Sequence, residues 1–180
     1  MKTEFDRWLL AYLGYLVWLC AGLFDFLCHR RSDLPHTSGL AESRLHVVQL
    51  GVIGTALLLA MVFEVGKTLV LLTLALVVVH AVVGYLDTRR AFGRRTLLPV
   101  EQHLHSVLDM APIIAWAGLA AVAWPALAGS GWVLALRRPA LELQLWIAML
   151  LPALLLCVVP AALEFRAAWV ARAATPHRGD

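Results

Sequence analysis

The chain has 180 residues, of which 61% are hydrophobic and 15% charged, and its mean hydropathy is +0.78. These values exclude a soluble domain with an ordinary polar surface, and the length allows one compact bundle without a second domain of typical size. The three cysteines lack CxxC spacing, so they indicate neither a disulfide framework nor a zinc ribbon.

Five apolar stretches reach the roughly 20 residues that a membrane-spanning helix needs. They predict an all-α integral membrane bundle with helices at about 8–28, 40–64, 68–87, 99–127 and 143–163. The first stretch lacks a small-residue cleavage site and is longer than the apolar part of a signal peptide, so we expect it to be retained. We therefore expect one transmembrane helical domain over residues 1–165 and a basic tail over 166–180.

The lysines and arginines favour one orientation of this bundle. Ten of them lie on the side reached after the first and third helices and by the C-terminal tail, against five on the other side. Because positive residues are retained in the cytoplasm, the N-terminus is expected outside and the C-terminus inside. The net charge of +3 is thus explained by the retention of basic residues in the cytoplasm and by their attraction to anionic lipid headgroups. Nucleic acid is not an expected partner.

Acidic residues and histidines are paired on four of the predicted helices. In three pairs the spacing is four residues, which places both side chains about 40° apart on one helix face. With the predicted topology, all four pairs lie at the cytoplasmic end: Asp25 with His29, Glu42 with His46, His80 with Asp87, and Glu101 with His105, followed by Asp109. Ionisable groups inside a membrane are costly and mark functional sites.

Structural explanations compete with this interpretation. Glu42 and Glu101 lie in first helical turns, where acids interact favourably with the helix dipole. Dipole and capping effects stop within one turn, so they do not explain His80 and Asp109, which lie deeper in their helices. A structural hydrogen bond between a buried histidine and an acid is the remaining alternative for these two residues. His103 faces away from His105 and is left open as a ligand.

The residue types point to metal binding. Mixed carboxylate and imidazole ligands suit iron, manganese or zinc, whereas copper(I) and iron–sulfur clusters need placed thiolates. A single zinc ion needs only three or four protein ligands, so the larger number here predicts two metal ions, with iron favoured over zinc and manganese. The candidate ligands are Asp25, His29, His36, Glu42, His46, His80, Asp87, Glu101, His105 and Asp109.

Three motifs carry a resemblance to a known group of proteins. They are Cys28-His29-Arg30-Arg31, His36-Thr37-Ser38-Gly39-x-x-Glu42-x-x-x-His46 and Pro99-Val100-Glu101-Gln102-His103-x-His105-Ser106. Over roughly residues 20–115 the chain resembles a family of small, uncharacterised bacterial inner-membrane proteins. The resemblance implies a multi-pass protein of the bacterial inner membrane and no particular activity. The histidine boxes of membrane desaturases and hydroxylases are absent from the sequence.

These observations favour a di-metal, preferably di-iron, oxidoreductase of the inner membrane. Its expected partners are the lipid bilayer, a lipid-soluble substrate such as an acyl chain, quinone or isoprenoid, and an electron donor. One alternative is a zinc-dependent membrane hydrolase with Glu42 as base and Ser43 or Ser106 nearby. Another is a non-enzymatic protein that binds haem or a metal, or transports a metal.

The orientation is directly testable. A reporter fused to the C-terminus should read cytoplasmic and one fused to the N-terminus periplasmic, because the arginine excess lies on the side reached after an odd number of helices. The measurement is a paired assay with a reporter active only in the cytoplasm and one active only in the periplasm. A periplasmic C-terminus would reverse the orientation.

Overall fold

The computed structural model describes residues 2–129 and 131–174. It contains six α-helices and two short irregular helices, and it is 83% helical. The α-helices are α1 Lys2–Arg31, α2 Gly39–Val62, α3 Lys67–Ala91, α4 Pro99–Leu127, α5 Leu143–Ala153 and α6 Val159–Ala174. A 3₁₀ turn, Leu34–His36, connects α1 to α2, and a π-helix, Leu154–Val158, joins α5 to α6 without a break.

Five helical segments are long and apolar enough to cross a membrane, which confirms the predicted all-α bundle. The fifth is formed by α5, the π-helix and α6 together. Two helices extend beyond the approximate predicted bounds: α1 begins at Lys2 instead of near residue 8, and residues 166–174 of the expected tail continue α6. The second difference arises because that stretch is rich in alanine, the best helix former. Residues 175–180 of the expected tail lie outside the described residues.

The helices pack as a ring. α1 contacts α4, α4 contacts α3, α3 contacts α2, α2 contacts α6, and α6 returns to α1. Because the connections α1 to α2 and α3 to α4 are short, successive helices are antiparallel. The end of α1, the start of α2, the end of α3, the start of α4 and the end of α6 therefore meet at one end of the bundle, which we call the polar end.

A small apolar cluster holds α6 in place at the polar end. Leu34, in the 3₁₀ turn, is 0% exposed and packs with Leu40 of α2 and Ala168 of α6, with Phe165 beside them. This contact fixes α6 against the connection between α1 and α2. It also places Glu164, one turn before Ala168 on the same helix face, toward the middle of the polar end.

Candidate metal centre

Nine charged or titratable side chains meet at the polar end, and together they form what we call the polar cluster. Each of α1, α2 and α4 contributes an acid and a histidine four residues apart, as the sequence predicts. α3 and α6 each add one acid, and the linker between α3 and α4 adds an arginine. The members are Asp25, His29, Glu42, His46, Asp87, Arg95, Glu101, His105 and Glu164, all buried except His105, whose exposure is intermediate.

Four members of the polar cluster lie where they could hold a metal ion. One ligand atom from each of Asp25, His29, Glu101 and His105 lies within 4.8 Å of the other three. His29 Nε2 is 3.4 Å from Asp25 Oδ2 and 3.4 Å from Glu101 Oε1. His105 Nε2 is 3.1 Å from Asp25 Oδ1. We call these residues the four-donor group.

The atoms of this group approach one another, and most of them lack a well-formed hydrogen bond. Asp25 Oδ1, His29 Nε2, Glu101 Oε2 and His105 Nε2 are buried and have no well-formed hydrogen bond within the described part of the chain, whereas Glu101 Oε1 is paired with the guanidinium of Arg95. Ligands 2.0–2.2 Å from one metal ion lie about 3.0–3.5 Å from each other in tetrahedral or octahedral geometry. The three contacts given above, two from His29 Nε2 and one from His105 Nε2, lie within this range at 3.1–3.4 Å.

The other nitrogen of His29 is engaged by the carboxylate from α6. His29 Nδ1 donates a hydrogen bond to Glu164 Oε2 over 2.8 Å. A proton on Nδ1 leaves the lone pair of Nε2 free, and Nε2 is the atom directed at Asp25 and Glu101. Metal-binding histidines in proteins commonly donate their second N–H to a carboxylate in this way, which fixes the ring orientation.

His46 lies beside the four-donor group but is held differently. Its ring stacks on that of His29, with centroids 4.6 Å apart and planes 5° from parallel. His46 Nδ1 donates to Glu164 Oε1 over 2.7 Å, and His46 Nε2 is 3.1 Å from Asp87 Oδ2. A second set of ligand atoms within 4.8 Å comprises His29, Glu42 and His46. An ion there would have to displace these hydrogen bonds, because both nitrogens of His46 are already engaged.

Arg95 supplies a fixed positive charge to the polar cluster. Its guanidinium donates to Glu42 Oε1 through Nη2 over 2.6 Å and through Nε over 3.1 Å, and to Ser32 Oγ through Nη1 over 3.1 Å. Nη2 also contacts Glu101 Oε1. Burial by itself lowers the pKa of Arg95, but the hydrogen bonds and negative charges of Glu101 and Glu42 raise that pKa above its usual range. Arg95 therefore remains charged.

Four residues proposed as ligands lie outside both sets of atoms that could hold a metal ion: Asp87, which belongs to the polar cluster, and three others, which do not. His36 is exposed on the surface, where Nδ1 is 2.7 Å from Asp33 Oδ1. His80 is buried, but neither of its ring nitrogens has a hydrogen-bond partner among the residues described. Asp109 is partly exposed one turn beyond His105. The structure brings the other seven together in the polar cluster.

Sequence reasoning missed two members of the polar cluster, Glu164 and Arg95. The sequence does contain a signal for Glu164, which is a single carboxylate between apolar residues in the last part of the fifth span. The end of a fifth span lies on the same side of the membrane as the ends of the first and third spans, where the other acids are predicted. Arg95 carries no such signal. It is one of four arginines in the stretch 88–99, and the sequence counts it only toward membrane orientation.

Comparison with known proteins gives no significant match: no family model fits the chain, and no curated protein or solved structure is significantly similar to it. The fold and the polar cluster therefore stand on the chain's own residues.

Arg95→Met tests the charge compensation in the polar cluster. The substitution leaves Glu42 and Glu101 buried without their cation, so the free energy of unfolding should fall by about 3–5 kcal/mol. The matched control is Arg94→Met at the exposed neighbouring arginine, which should change it by less than about 0.5 kcal/mol. Denaturant unfolding in detergent micelles measures both.

A double variant separates lost charge from lost packing. Arg95→Met combined with Glu42→Gln removes one of the uncompensated carboxylates and should recover part of the stability that Arg95→Met loses. Equal stability of Arg95→Met and Arg94→Met would show that the guanidinium does not compensate the buried acids.

Proposed function

We propose that this chain is a membrane metalloprotein in which the four-donor group binds a metal ion. The observation that carries the proposal is the convergence of one ligand atom from each of four side chains within 4.8 Å, where Asp25 Oδ1, His29 Nε2 and His105 Nε2 have no hydrogen bonds of their own within the described residues. Buried polar atoms are almost always hydrogen-bonded. An ion shared by Asp25, His29, Glu101 and His105 would satisfy all of them at once.

The charge of the polar cluster supports the same conclusion. Five carboxylates, those of Asp25, Glu42, Asp87, Glu101 and Glu164, are buried there, and Arg95 is the one buried arginine or lysine among the described residues. Burying a carboxylate in low dielectric is costly unless a positive charge lies beside it. A divalent or trivalent cation would offset much of the remaining negative charge.

The ligand types favour iron, with zinc and manganese as alternatives. Two imidazoles and two carboxylates suit these ions, and no cysteine belongs to either set of metal-binding atoms. Histidine pairs with a carboxylate are typical of non-haem iron sites that keep open coordination positions. His29 is common to both sets and its Nδ1 is engaged by Glu164, so we propose a single ion in the four-donor group in place of the two ions that the number of ligands suggested.

The activity that we propose is an oxidoreduction of a lipid-soluble substrate. A bound iron ion would supply electron transfer and activation of an oxidant. The chain's own residues would have separate tasks: Asp25, Glu101, His29 and His105 would hold the ion, Glu164 would orient His29, and Arg95 would balance charge. An electron donor from outside the chain is required. The apolar surface around the polar end favours substrates that reach it through the bilayer, and we place that end on the cytoplasmic side of a bacterial inner membrane.

Metal analysis of the purified chain tests the proposal. Iron close to one equivalent per chain is expected, and His29→Ala or His105→Ala should remove most of it because each leaves an open ligand position. The matched control is His103→Ala, an exposed histidine on the same helix, which should retain wild-type metal content. Elemental analysis after dialysis against a weak chelator gives the stoichiometry. Zinc in place of iron would favour the hydrolase, and a metal-free wild type would refute the proposal.

Glu164→Gln tests the orienting role of α6. Glutamine keeps the size of the side chain but accepts a weaker hydrogen bond from His29, so metal affinity should fall by about 10–100-fold, as for other groups that orient ligands. Competition with a coloured chelator measures the affinity. Glu142→Gln, at an exposed glutamate before α5, is the control. Unchanged affinity in Glu164→Gln would show that α6 takes no part in the site.

A further inference from the structure

A second group of polar side chains lies deeper in the bundle than the polar cluster. Three helices contribute one residue each, and we call Gln49, His80 and Asp109 the inner polar set. By the rise of an α-helix, Gln49 lies about 4.5 Å beyond His46, His80 about 10 Å before Asp87, and Asp109 about 6 Å beyond His105. Each step leads away from the polar end toward the middle of the bilayer.

Gly84 on α3 allows two of these side chains to approach the helix backbone. A Cβ atom added at Gly84 would lie 2.5 Å from Asp109 Oδ1 and 2.9 Å from Gln49 Nε2. Any residue other than glycine would therefore push at least one of the two polar groups away. His80 lies one turn before Gly84 on the same helix face, so the three side chains surround the same part of α3.

His80 is the unsatisfied member of the inner polar set. It is 5% exposed, and both ring nitrogens lack a hydrogen-bond partner within residues 2–129 and 131–174. An imidazole with neither nitrogen satisfied is rare in a protein interior. Asp109 lies one helical turn beyond His105 on α4. The inner polar set therefore adjoins the four-donor group.

We propose that the inner polar set binds the uncharged, oxygen-bearing head group of a lipid-soluble molecule, a carbonyl or hydroxyl carried on a hydrocarbon tail. His80 and Gln49 can each donate a hydrogen bond to such an oxygen, and Asp109 can accept one from a hydroxyl. Anionic head groups are disfavoured because Asp109, Asp25 and Asp87 are nearby acids.

Access from the bilayer supports an amphiphilic ligand. Asp109 is partly exposed, and the next residue, Met110, is 51% exposed on the apolar surface of α4. A head group could thus enter beside Asp109 while its tail stays in hydrocarbon. The inference rests on the proposed function for one step only, namely that the bound molecule is the substrate. It then names the substrate class as a quinone or a long-chain alcohol.

The test is binding of soluble probes to the purified chain in detergent, measured by calorimetric titration. Decylubiquinone represents quinones, farnesol represents long-chain alcohols, and decanoate represents the same kind of tail with an anionic head. We expect one or both neutral probes to bind and decanoate not to bind. Binding of all three with equal affinity would indicate nonspecific partition and would overturn the inference.

Two substitutions locate the binding site. Gly84→Ala displaces the Asp109 and Gln49 side chains, and His80→Leu removes a donor, so each should weaken binding of the neutral probe by about tenfold or more, as expected for a lost buried hydrogen bond. Gly54→Ala on α2 is the control, because a Cβ there meets nothing within 4 Å. His80→Gln keeps a donor and should restore part of the affinity.

Metal content, measured on the same samples, separates this inference from the proposed function. Bound metal with no binding of either neutral probe would overturn the inference and leave the proposed function intact. A metal-free chain whose probe binding is weakened by Gly84→Ala and not by Gly54→Ala would support the binding site and refute the metal function. Equal probe affinity in the wild type and Gly84→Ala would overturn the inference even if metal is bound.

Discussion

Five carboxylates buried at one end of an apolar helical bundle require positive charge beside them, and the arrangement of that end follows from this requirement. Arg95 provides one charge and is shared between Glu42 and Glu101. Hydrogen bonds from His29 and His46 engage Glu164. Asp25 Oδ1 and Glu101 Oε2 have no hydrogen bond within the described chain, and the Asp25 carboxylate lies 3.1 Å from His105 Nε2 and 3.4 Å from His29 Nε2. Such a combination of carboxylate and imidazole atoms could hold a metal ion.

The residues of the candidate metal centre are positioned by two kinds of helix. Asp25 with His29, and Glu101 with His105, are set on facing turns of α1 and α4, so their relative positions depend on two long and rigid helices. Glu164 comes from a span interrupted by a π-helix, and such wide turns occur frequently at functional sites. An extra residue in a turn changes which helix face the later residues occupy, and Glu164 lies shortly after this change.

The polar residues form two layers with different surroundings. In the polar cluster, acids and histidines contact one another closely and Arg95 balances part of the charge. In the inner polar set, the groups are fewer, His80 has no partner in the described part of the chain, and a glycine gives the space that the others use. The first layer suits a cation and the second suits a neutral molecule with one or two oxygen atoms. A metal site and a head-group site one to two helical turns apart would place a substrate beside the ion.

The sequence by itself determined the five spans and most members of the two groups that could hold a metal ion. Apolar length identifies a spanning helix because hydrocarbon tolerates no unsatisfied backbone, and a four-residue step places two side chains on one face whatever the helix packs against. The parity of the spans then brings the four paired ends to one side. Only the tertiary structure decided which nitrogen or oxygen meets which partner. Glu164 contacts a residue 135 positions away, and Arg95 contacts one 53 positions away. His36 lies on the surface, and His80 is buried deeper in the bundle than the polar cluster. These positions depend on helix rotation and on the paths of the linkers, which are set by packing that no local spacing encodes.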